Sequence, residues 1–269
     1  MTNALLDQTL AAAKAENRAA LIGYLPAGFP TVAGAAQAVQ ALIDGGADVV
    51  EIGLPHSDPV LDGATIQTAD DIALRGGVRT KDVLETIRTV TAANPTVPVL
   101  CMTYWNPVDR YGQARFAADL AAAGGAGCIL PDLPVEEADE WLAAAAEQGL
   151  ATVFVVAPSS RDERLAVITA KGTGFVYAAA VMGVTGTRAQ VGDMAEDLVA
   201  RTRATTELPV CVGLGVSNAV QAAEVAAFAD GVIVGSAFVQ RILDASSPEA
   251  GYAAVRELTA ELAQGVRKR

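Results

Sequence analysis

One carboxylate lies within an apolar segment that is typical of a buried strand. Glu51 belongs to the run Val49–Gly53, where alternating side chains put it on the same face as Val49. Charged side chains are seldom buried without a partner or a function. An ion pair with an arginine at the rim is the alternative explanation, but the end of a strand favours Glu51 as a group that donates or accepts protons in a substrate site.

The segment after Glu51 carries two aspartates among prolines and a glycine. Asp58 and Asp62 lie in the run PHSDPVLDG, residues 55–63. Aspartates in such segments usually shape turns, because their side chains bond to the nearby backbone. From spacing alone, each of the two is predicted to be a turn residue rather than a catalyst.

Three glycine-rich segments follow the last three predicted strands. Glycine lets a phosphate approach the backbone closely, and the amides at a helix N-terminus attract anions. Tight turns that need glycine are the alternative explanation, but three such segments at consecutive strand ends favour a phosphate site. Its candidate residues are Thr185 and Gly186 in residues 183–186, Gly215 in residues 212–217, and Gly235 and Ser236 in residues 234–238.

The scarcity of histidine and lysine removes several mechanisms. His56 is the single histidine, so a site built from several histidines is excluded and no metal is expected. A Schiff-base enzyme needs a lysine in its active site, here at the end of a strand. None of the four lysines stands at such a position: Lys14, Lys81, Lys171 and Lys268.

Charge and cysteine usage narrow the choice of partners and compartment. The net charge is −12 and no basic stripe is visible, so neither nucleic acid nor an anionic membrane surface is expected as a partner. The N-terminal segment mixes charges into an amphipathic pattern and lacks the apolar centre of a signal peptide. Cys101, Cys128 and Cys211 each lie in an apolar run, which predicts buried, reduced thiols and a cytoplasmic protein.

Strands and helices alternate along the whole chain. Eight apolar runs separated by segments of helical period predict a closed (β/α)8 TIM barrel, an α/β fold, and an extra N-terminal helix at Asn3–Glu16 would close its bottom. A doubly wound open sheet is the structural alternative. We expect a single catalytic domain over residues 1–269. The predicted strands are Ala20–Leu25, Asp48–Gly53, Pro98–Met102, Gly127–Leu130, Ala151–Val156, Gly174–Ala178, Pro209–Val212 and Gly231–Val234.

Aromatic side chains mark several strand ends. Tyr24, Tyr104 and Tyr177 stand at or just after predicted strands, where they could hold a flat apolar substrate or simply cap the core. Trp105 begins a segment predicted to be an exposed loop after the third strand.

Several of these segments together resemble a known family. The run from Glu51 to Gln67 fits the pattern E-x-G-x-P-x-S-D-P-x-x-D-G-x-x-I-Q throughout, and M-T-Y-x-N-P, P-D-L-P, G-V-T-G, V-G-x-G-V-S and V-G-S-A follow in order. Over essentially its whole length the chain resembles the tryptophan synthase alpha subunit. It departs at His56, Ala64 and Leu214, where the family often has Phe, Pro and Phe, and Leu214 implies a changed indole pocket.

The resemblance implies a lyase reaction, the retro-aldol cleavage of indole-3-glycerol phosphate to indole and glyceraldehyde 3-phosphate in L-tryptophan biosynthesis. It implies that Glu51 protonates indole C3 and takes the glycerol hydroxyl proton. It also implies that Asp62 accepts the indole N–H and stabilises the cation, which reverses the interpretation of Asp62 as a turn residue. The substrate-binding residues that it implies are Tyr24, Tyr177, Thr185, Gly186, Gly215, Gly235 and Ser236.

The resemblance further implies a protein partner. A tryptophan synthase beta subunit would complete an alpha2-beta2 heterotetramer, receive the indole and hold pyridoxal phosphate, while this chain would need no cofactor. Two other functions stay open at this point. One is a different phosphate-binding barrel isomerase of aromatic biosynthesis, and the other is a non-catalytic allosteric partner of a beta subunit.

Overall fold

The computed structural model describes residues 3–180 and 188–267, with only the backbone of residues 188–191. Within this part of the chain, nine strands pair in parallel in the order β5-β4-β3-β2-β1-β9-β8-β7-β6. The strands are β1 Ala20–Pro26, β2 Val49–Gly53, β3 Val99–Met102, β4 Gly127–Ile129, β5 Ala151–Val153, β6 Val155–Val156, β7 Val176–Ala179, β8 Val210–Gly213 and β9 Gly231–Val234.

The two edges of this sheet are joined by one residue. Phe154 alone separates β5 from β6, and β5 pairs with β4 while β6 pairs with β7. The two short strands therefore occupy one position of the ring, which closes there with eight positions. The predicted closed (β/α)8 barrel is confirmed, and the open-sheet alternative is wrong.

Helices cover the outside of the barrel. Their bounds are α1 Ala4–Ala15, α2 Ala35–Asp44, α3 Ala64–Arg75, α4 Thr80–Ala93, α5 Trp105–Tyr111, α6 Gln113–Ala122, α7 Asp139–Glu147, α8 Asp162–Lys171, α9 Arg188–Arg203, α10 Ala219–Ala226, α11 Ser236–Leu243 and α12 Pro248–Gly265, with a 3-10 turn at Val135–Glu137. No helix in the described ranges is both long and apolar enough to cross a bilayer.

Alternation along the strands divides the core into two layers. Leu21 and Val50 pack outward against the helices, whereas Ile22 and Val49 pack inside the barrel. Because side chains alternate, Glu51 on β2 faces the interior with Val49. The strand pattern thus delivers one carboxyl group into an otherwise apolar barrel.

The extra helix α1 closes the N-terminal end of the barrel, as predicted. Its Leu6, Leu10 and Ala13 are buried in the same cluster as the inward-facing strand residues. Burial of each of the two leucines contributes about 1.5–3 kcal/mol. The Asn3 side chain accepts the Leu6 N–H at 3.2 Å and so caps the helix. This leaves the carboxyl ends of the strands as the open face.

One local expectation was wrong. The segment at Trp105 is not an exposed loop, because Trp105 begins α5 and its side chain is half-buried against the outer core. The long interval after β2 holds a complete extra helix, α3, before α4. The helix α5 has only seven residues, and in so short a helix tertiary packing rather than periodicity sets the limits.

Candidate active site

A cavity of about 520 Å³ opens at the carboxyl ends of the strands. Its size suits a small organic substrate. Six of the predicted site residues lie on its wall together with residues of β3, β6 and β9. The lining residues are Tyr24, Leu61, Asp62, Gly63, Ala64, Thr65, Ile66, Met102, Tyr104, Pro131, Val155, Ala157, Ser160, Tyr177, Ala179, Gly213, Gly215, Ile233, Gly235 and Ser236.

Glu51 is fully buried beside this cavity but does not line it. Neither of its carboxyl oxygens has a hydrogen-bond partner among the described residues. Burial raises the pKa of Glu51 to about 8, since the charged form loses its hydration without a compensating bond. Near neutral pH the group is therefore mainly protonated, as a general acid must be.

Asp62 lies at the mouth of the cavity, in the segment between β2 and α3. The Tyr104 hydroxyl donates a hydrogen bond to Asp62 Oδ2 at 2.8 Å and accepts the Leu61 N–H at 2.9 Å. The Gln67 side chain donates to the backbone carbonyl of Asp62 at 2.8 Å. Burial raises the pKa of Asp62, while the Tyr104 bond and the nearby His56 lower it. These contacts hold one carboxylate oxygen and leave the other for a ligand.

Replacing Tyr104 with Phe should lower the kcat of a reaction that uses Asp62 in this cavity by about tenfold to a hundredfold, the usual worth of a hydrogen bond to a charged group. The substitution keeps the ring and removes the hydroxyl, which donates to Asp62 and accepts the N–H of the neighbouring Leu61. Tyr111→Phe is the matched control, because the Tyr111 hydroxyl donates to Asp119 on the outer surface at 2.6 Å. Equal kcat in wild type and Tyr104→Phe would contradict this role.

Tyr24 on β1 and Tyr177 on β7 each lie over a glycine of the neighbouring strand. A Cβ at Gly53 would collide with the Tyr24 hydroxyl, and one at Gly213 would lie 2.8 Å from the Tyr177 hydroxyl. Burial, then nearby carboxylates including Asp62 and Glu51, raises the pKa of both tyrosines well above the usual value. Glycine at these strand ends makes room for the two rings.

Two positions of the predicted phosphate site require glycine for different structural reasons. Gly215 has a φ of +63°, which favours glycine, and it has open space beside it. Gly235 precedes α11, whose first residue is Ser236, and a Cβ there would lie 3.1 Å from the Tyr24 ring. The free amides of the first turn of α11 thus begin at the cavity wall. Thr185 and Gly186 lie outside the described residues.

Sequence reasoning did not select several residues that line the cavity. Met102, Val155 and Ile233 pack against the inner layer of the core and reach the cavity from β3, β6 and β9. Extending the alternation from Val49 and Glu51 to each strand end could have found them. Leu214 does not line the cavity and is half-buried against the outer core.

Metal chemistry was not expected from the sequence. Over residues 3–180 and 188–267, no group of three or more histidine, cysteine, aspartate or glutamate side chains could hold a metal ion. Cys101, Cys128 and Cys211 are buried free thiols.

Known proteins are similar to this chain in sequence and in fold. A family model described as tryptophan synthase alpha chain matches residues 10–267. The tryptophan synthase alpha chain of Streptomyces coelicolor is 72% identical over 98% of this chain and 97% of its own length. That of Thermobifida fusca is 56% identical, over 98% of each chain.

Solved structures agree. A structure of Mycobacterium tuberculosis tryptophan synthase superposes with a TM-score of 0.91 at 49% identity, covering 99% of both chains. The tryptophan synthase subunit alpha of Legionella pneumophila superposes with a TM-score of 0.88 at 32% identity, over 97% of this chain and 98% of its own. The resemblance noted in the sequence is confirmed: the chain belongs to the tryptophan synthase alpha chain family.

Proposed function

We propose that this chain uses Glu51 and Asp62 to carry out the alpha reaction of its family, the cleavage of indole-3-glycerol phosphate to indole and glyceraldehyde 3-phosphate. One observation carries this assignment of residues. A buried carboxyl group with no hydrogen-bond partner among the described residues lies beside a cavity, and a hydrogen-bonded carboxyl group lines that cavity together with tyrosines and glycines. The substrate has the matching groups: the indole carbon C3, which accepts a proton, an indole ring and a phosphate.

In the proposed reaction Glu51 gives its proton to indole C3. The ring becomes a cation, and Asp62 accepts the indole N–H and stabilises the positive charge. The bond between C3 and the glycerol carbon then breaks, its electron pair returns to the ring, and the hydroxyl of that carbon becomes the aldehyde. Glu51 takes the hydroxyl proton, so the enzyme ends in the state in which it began.

The two carboxyl groups suit these roles because their environments differ. No described residue donates a hydrogen bond to Glu51, whereas Asp62 accepts a bond from Tyr104 and lies near His56. The pKa of Glu51, about 8, keeps it protonated when Asp62 is ionised. Tyr24 and Tyr177 would flank the indole.

The phosphate would bind where Gly215, Gly235 and Ser236 line the cavity, and Thr185 and Gly186 are proposed to complete this site. Anchoring the far end of the substrate places C3 at the acid without adding a charged side chain.

The proposal extends to the assembly. The chain works as a single catalytic domain over residues 1–269 in the cytoplasm and needs no cofactor of its own. It pairs with a tryptophan synthase beta subunit in an alpha2-beta2 tetramer, and that subunit holds pyridoxal phosphate and receives the indole. By resemblance to the family, the contact surface includes Pro55, His56, Asp58 and residues 106–107.

The purified chain should release indole from indole-3-glycerol phosphate, and a beta subunit should increase the rate. A chelator, or borohydride added with substrate, should leave activity unchanged, since the proposed steps use neither a metal nor a Schiff base. Indole release is measured with and without the beta subunit. Activity on isomerase substrates alone would favour the barrel isomerase, and no indole release under either condition would favour a non-catalytic partner.

A further inference from the structure

A third carboxyl group is buried next to the proposed catalytic pair. Asp70 lies on α3 and is 3% exposed. Its Oδ2 accepts the His56 backbone N–H at 3.4 Å, whereas Oδ1 is buried and has no hydrogen-bond partner among the described residues. An unpartnered buried carboxyl oxygen is costly, so its position calls for a functional explanation.

Asp70 and Asp62 face the same small space. A cavity of about 10 Å³ is bounded by both carboxyl groups and by Tyr24 and Tyr104. Asp62 also lines the large substrate cavity, but Asp70 does not. Asp70 therefore meets Asp62 at this small cavity, which places it to act on Asp62.

A second path joins Asp70 to Asp62 through His56. The His56 backbone is bonded to Asp70, and the His56 ring stacks on Tyr104 with centroids 4.8 Å apart and planes at 23°. The Tyr104 hydroxyl in turn donates to Asp62. Asp70 on α3 thus contacts the start of the segment that carries Asp62, and the stacked His56 and Tyr104 rings connect that contact to the Asp62 carboxylate.

We propose that Asp70 is a positioning residue for Asp62, anchoring the segment after β2 through His56 and staying protonated so that Asp62 keeps the negative charge. This inference rests on the proposed function, because it assigns Asp70 a role in keeping Asp62 ionised and in place. Two carboxylates that share a desolvated space cannot both ionise at low cost.

The charges around Asp70 support a neutral side chain. The titratable groups that face it are Asp62 and His56 from the segment before α3, Tyr24 from β1 and Tyr104 from the end of β3. Burial raises the pKa of Asp70 to about 7, the His56 backbone bond lowers it, and the Asp62 charge raises it further. Above that pH a second negative charge would develop beside Asp62 and push it out of position.

The test compares Asp70→Asn with wild type across pH. Asparagine keeps an acceptor for the His56 N–H and cannot ionise. At about pH 6 the two proteins should have equal kcat, and at about pH 8 the variant should be about threefold or more faster, because only wild type then carries the second charge. Any pH effect of Glu51 is common to both proteins and cancels in the ratio. Asp71→Asn, on the exposed neighbour that pairs with Arg75, is the control and should give a flat ratio near one.

Thermal unfolding supplies a readout that does not need activity. The pKa of Asp70 is higher in the folded chain than its ordinary value of 3.8, so the folded chain binds more protons between about pH 4 and pH 7. Wild type should therefore lose stability relative to Asp70→Asn as pH rises through this window. Asp70→Leu, which cannot accept the His56 bond, should lower kcat at every pH by about tenfold or more.

The outcomes separate this inference from the proposed function. If wild type releases no indole, the proposed function fails. If wild type is active but the ratio of Asp70→Asn to wild type is independent of pH, or if Asp70→Asn loses as much activity as Asp70→Leu, the role of Asp70 is overturned and the proposed function stands.

Discussion

Glu51→Gln should reduce indole release by about a thousandfold, within the range that a positioned acid–base group contributes. Glutamine has nearly the same shape but can neither give a proton to indole C3 nor take one from the glycerol hydroxyl. Because the protonated form of Glu51 is neutral and unpartnered, the amide replaces it without breaking a hydrogen bond of the described structure. Binding of substrate and of indole should stay close to the wild-type level.

Turnover and ligand affinity are measured on the same preparation, with circular dichroism to check the fold. Tyr104→Phe is measured for comparison, since this substitution affects Asp62 and not the proposed acid Glu51. Activity of Glu51→Gln within about tenfold of wild type corresponds to a barrier change of only ~1.4 kcal/mol and would remove Glu51 from the mechanism.

The same substitution has an effect on stability whose sign follows from burial. The pKa of Glu51 is about 8 in the folded chain and 4.5 as its ordinary value, so unfolding releases a proton between these limits. Wild type therefore loses stability as pH rises from about 4.5 to about 8, and Glu51→Gln should not share this loss. Wild-type activity should also fall as pH rises through about 8.

Alternation along the strands is the part of the site that the sequence encodes most directly. Val49 and Glu51 share a face in any strand, and an apolar run around them requires that face to be buried. The positions of the barrel strands could be predicted from their apolar runs, and that of the N-terminal helix from its amphipathic pattern. The division of the fifth barrel strand into β5 and β6 at Phe154 could not be predicted, because Phe154 is as apolar as its neighbours in the sequence.

The surroundings of Asp62 could not be predicted from spacing. Its bond to Tyr104 joins residues 42 positions apart, and nothing local marks the pair.

For Asp70, in contrast, the sequence contains a signal that the side chain is buried. Ile66, Asp70 and Ala73 recur at helical spacing and are all buried on α3, so the helical period places a carboxyl group on an apolar face. Recognising it requires the limits of α3, which periodicity did not give.

Gly235→Asp should weaken binding of glyceraldehyde 3-phosphate and of the substrate by about a hundredfold or more. A carboxylate at this position would stand in the space proposed for the phosphate. Two unit charges about 4 Å apart at an effective dielectric constant of about 20 repel by about 4 kcal/mol, and each 1.4 kcal/mol is tenfold in affinity. The free amides at the N-terminus of α11 would then interact with the new carboxylate instead of with a phosphate ligand.

Two further variants separate charge from space. A Cβ at Gly235 lies 3.1 Å from the Tyr24 ring, so any side chain there presses on the proposed indole wall. The change in affinity of Gly235→Ala reports the effect of the Cβ contact with Tyr24 alone. Gly235→Asn adds the volume of the aspartate side chain without its charge. The charge effect is the difference between Gly235→Asp and Gly235→Asn.

Competition measurements with two ligands locate the site. Glyceraldehyde 3-phosphate carries the phosphate without the ring, and indole carries the ring without the phosphate. Gly235→Asp and Gly235→Asn should bind indole alike, since both crowd Tyr24 equally, and should differ sharply only for the phosphate ligand. Gly172→Asp, where a Cβ meets only ordinary contacts of 3.6 Å or more, controls for an added negative charge elsewhere on the chain. If the two Gly235 variants bind glyceraldehyde 3-phosphate equally well, the phosphate binds at another place on the barrel, because a like charge in contact with it cannot be without effect.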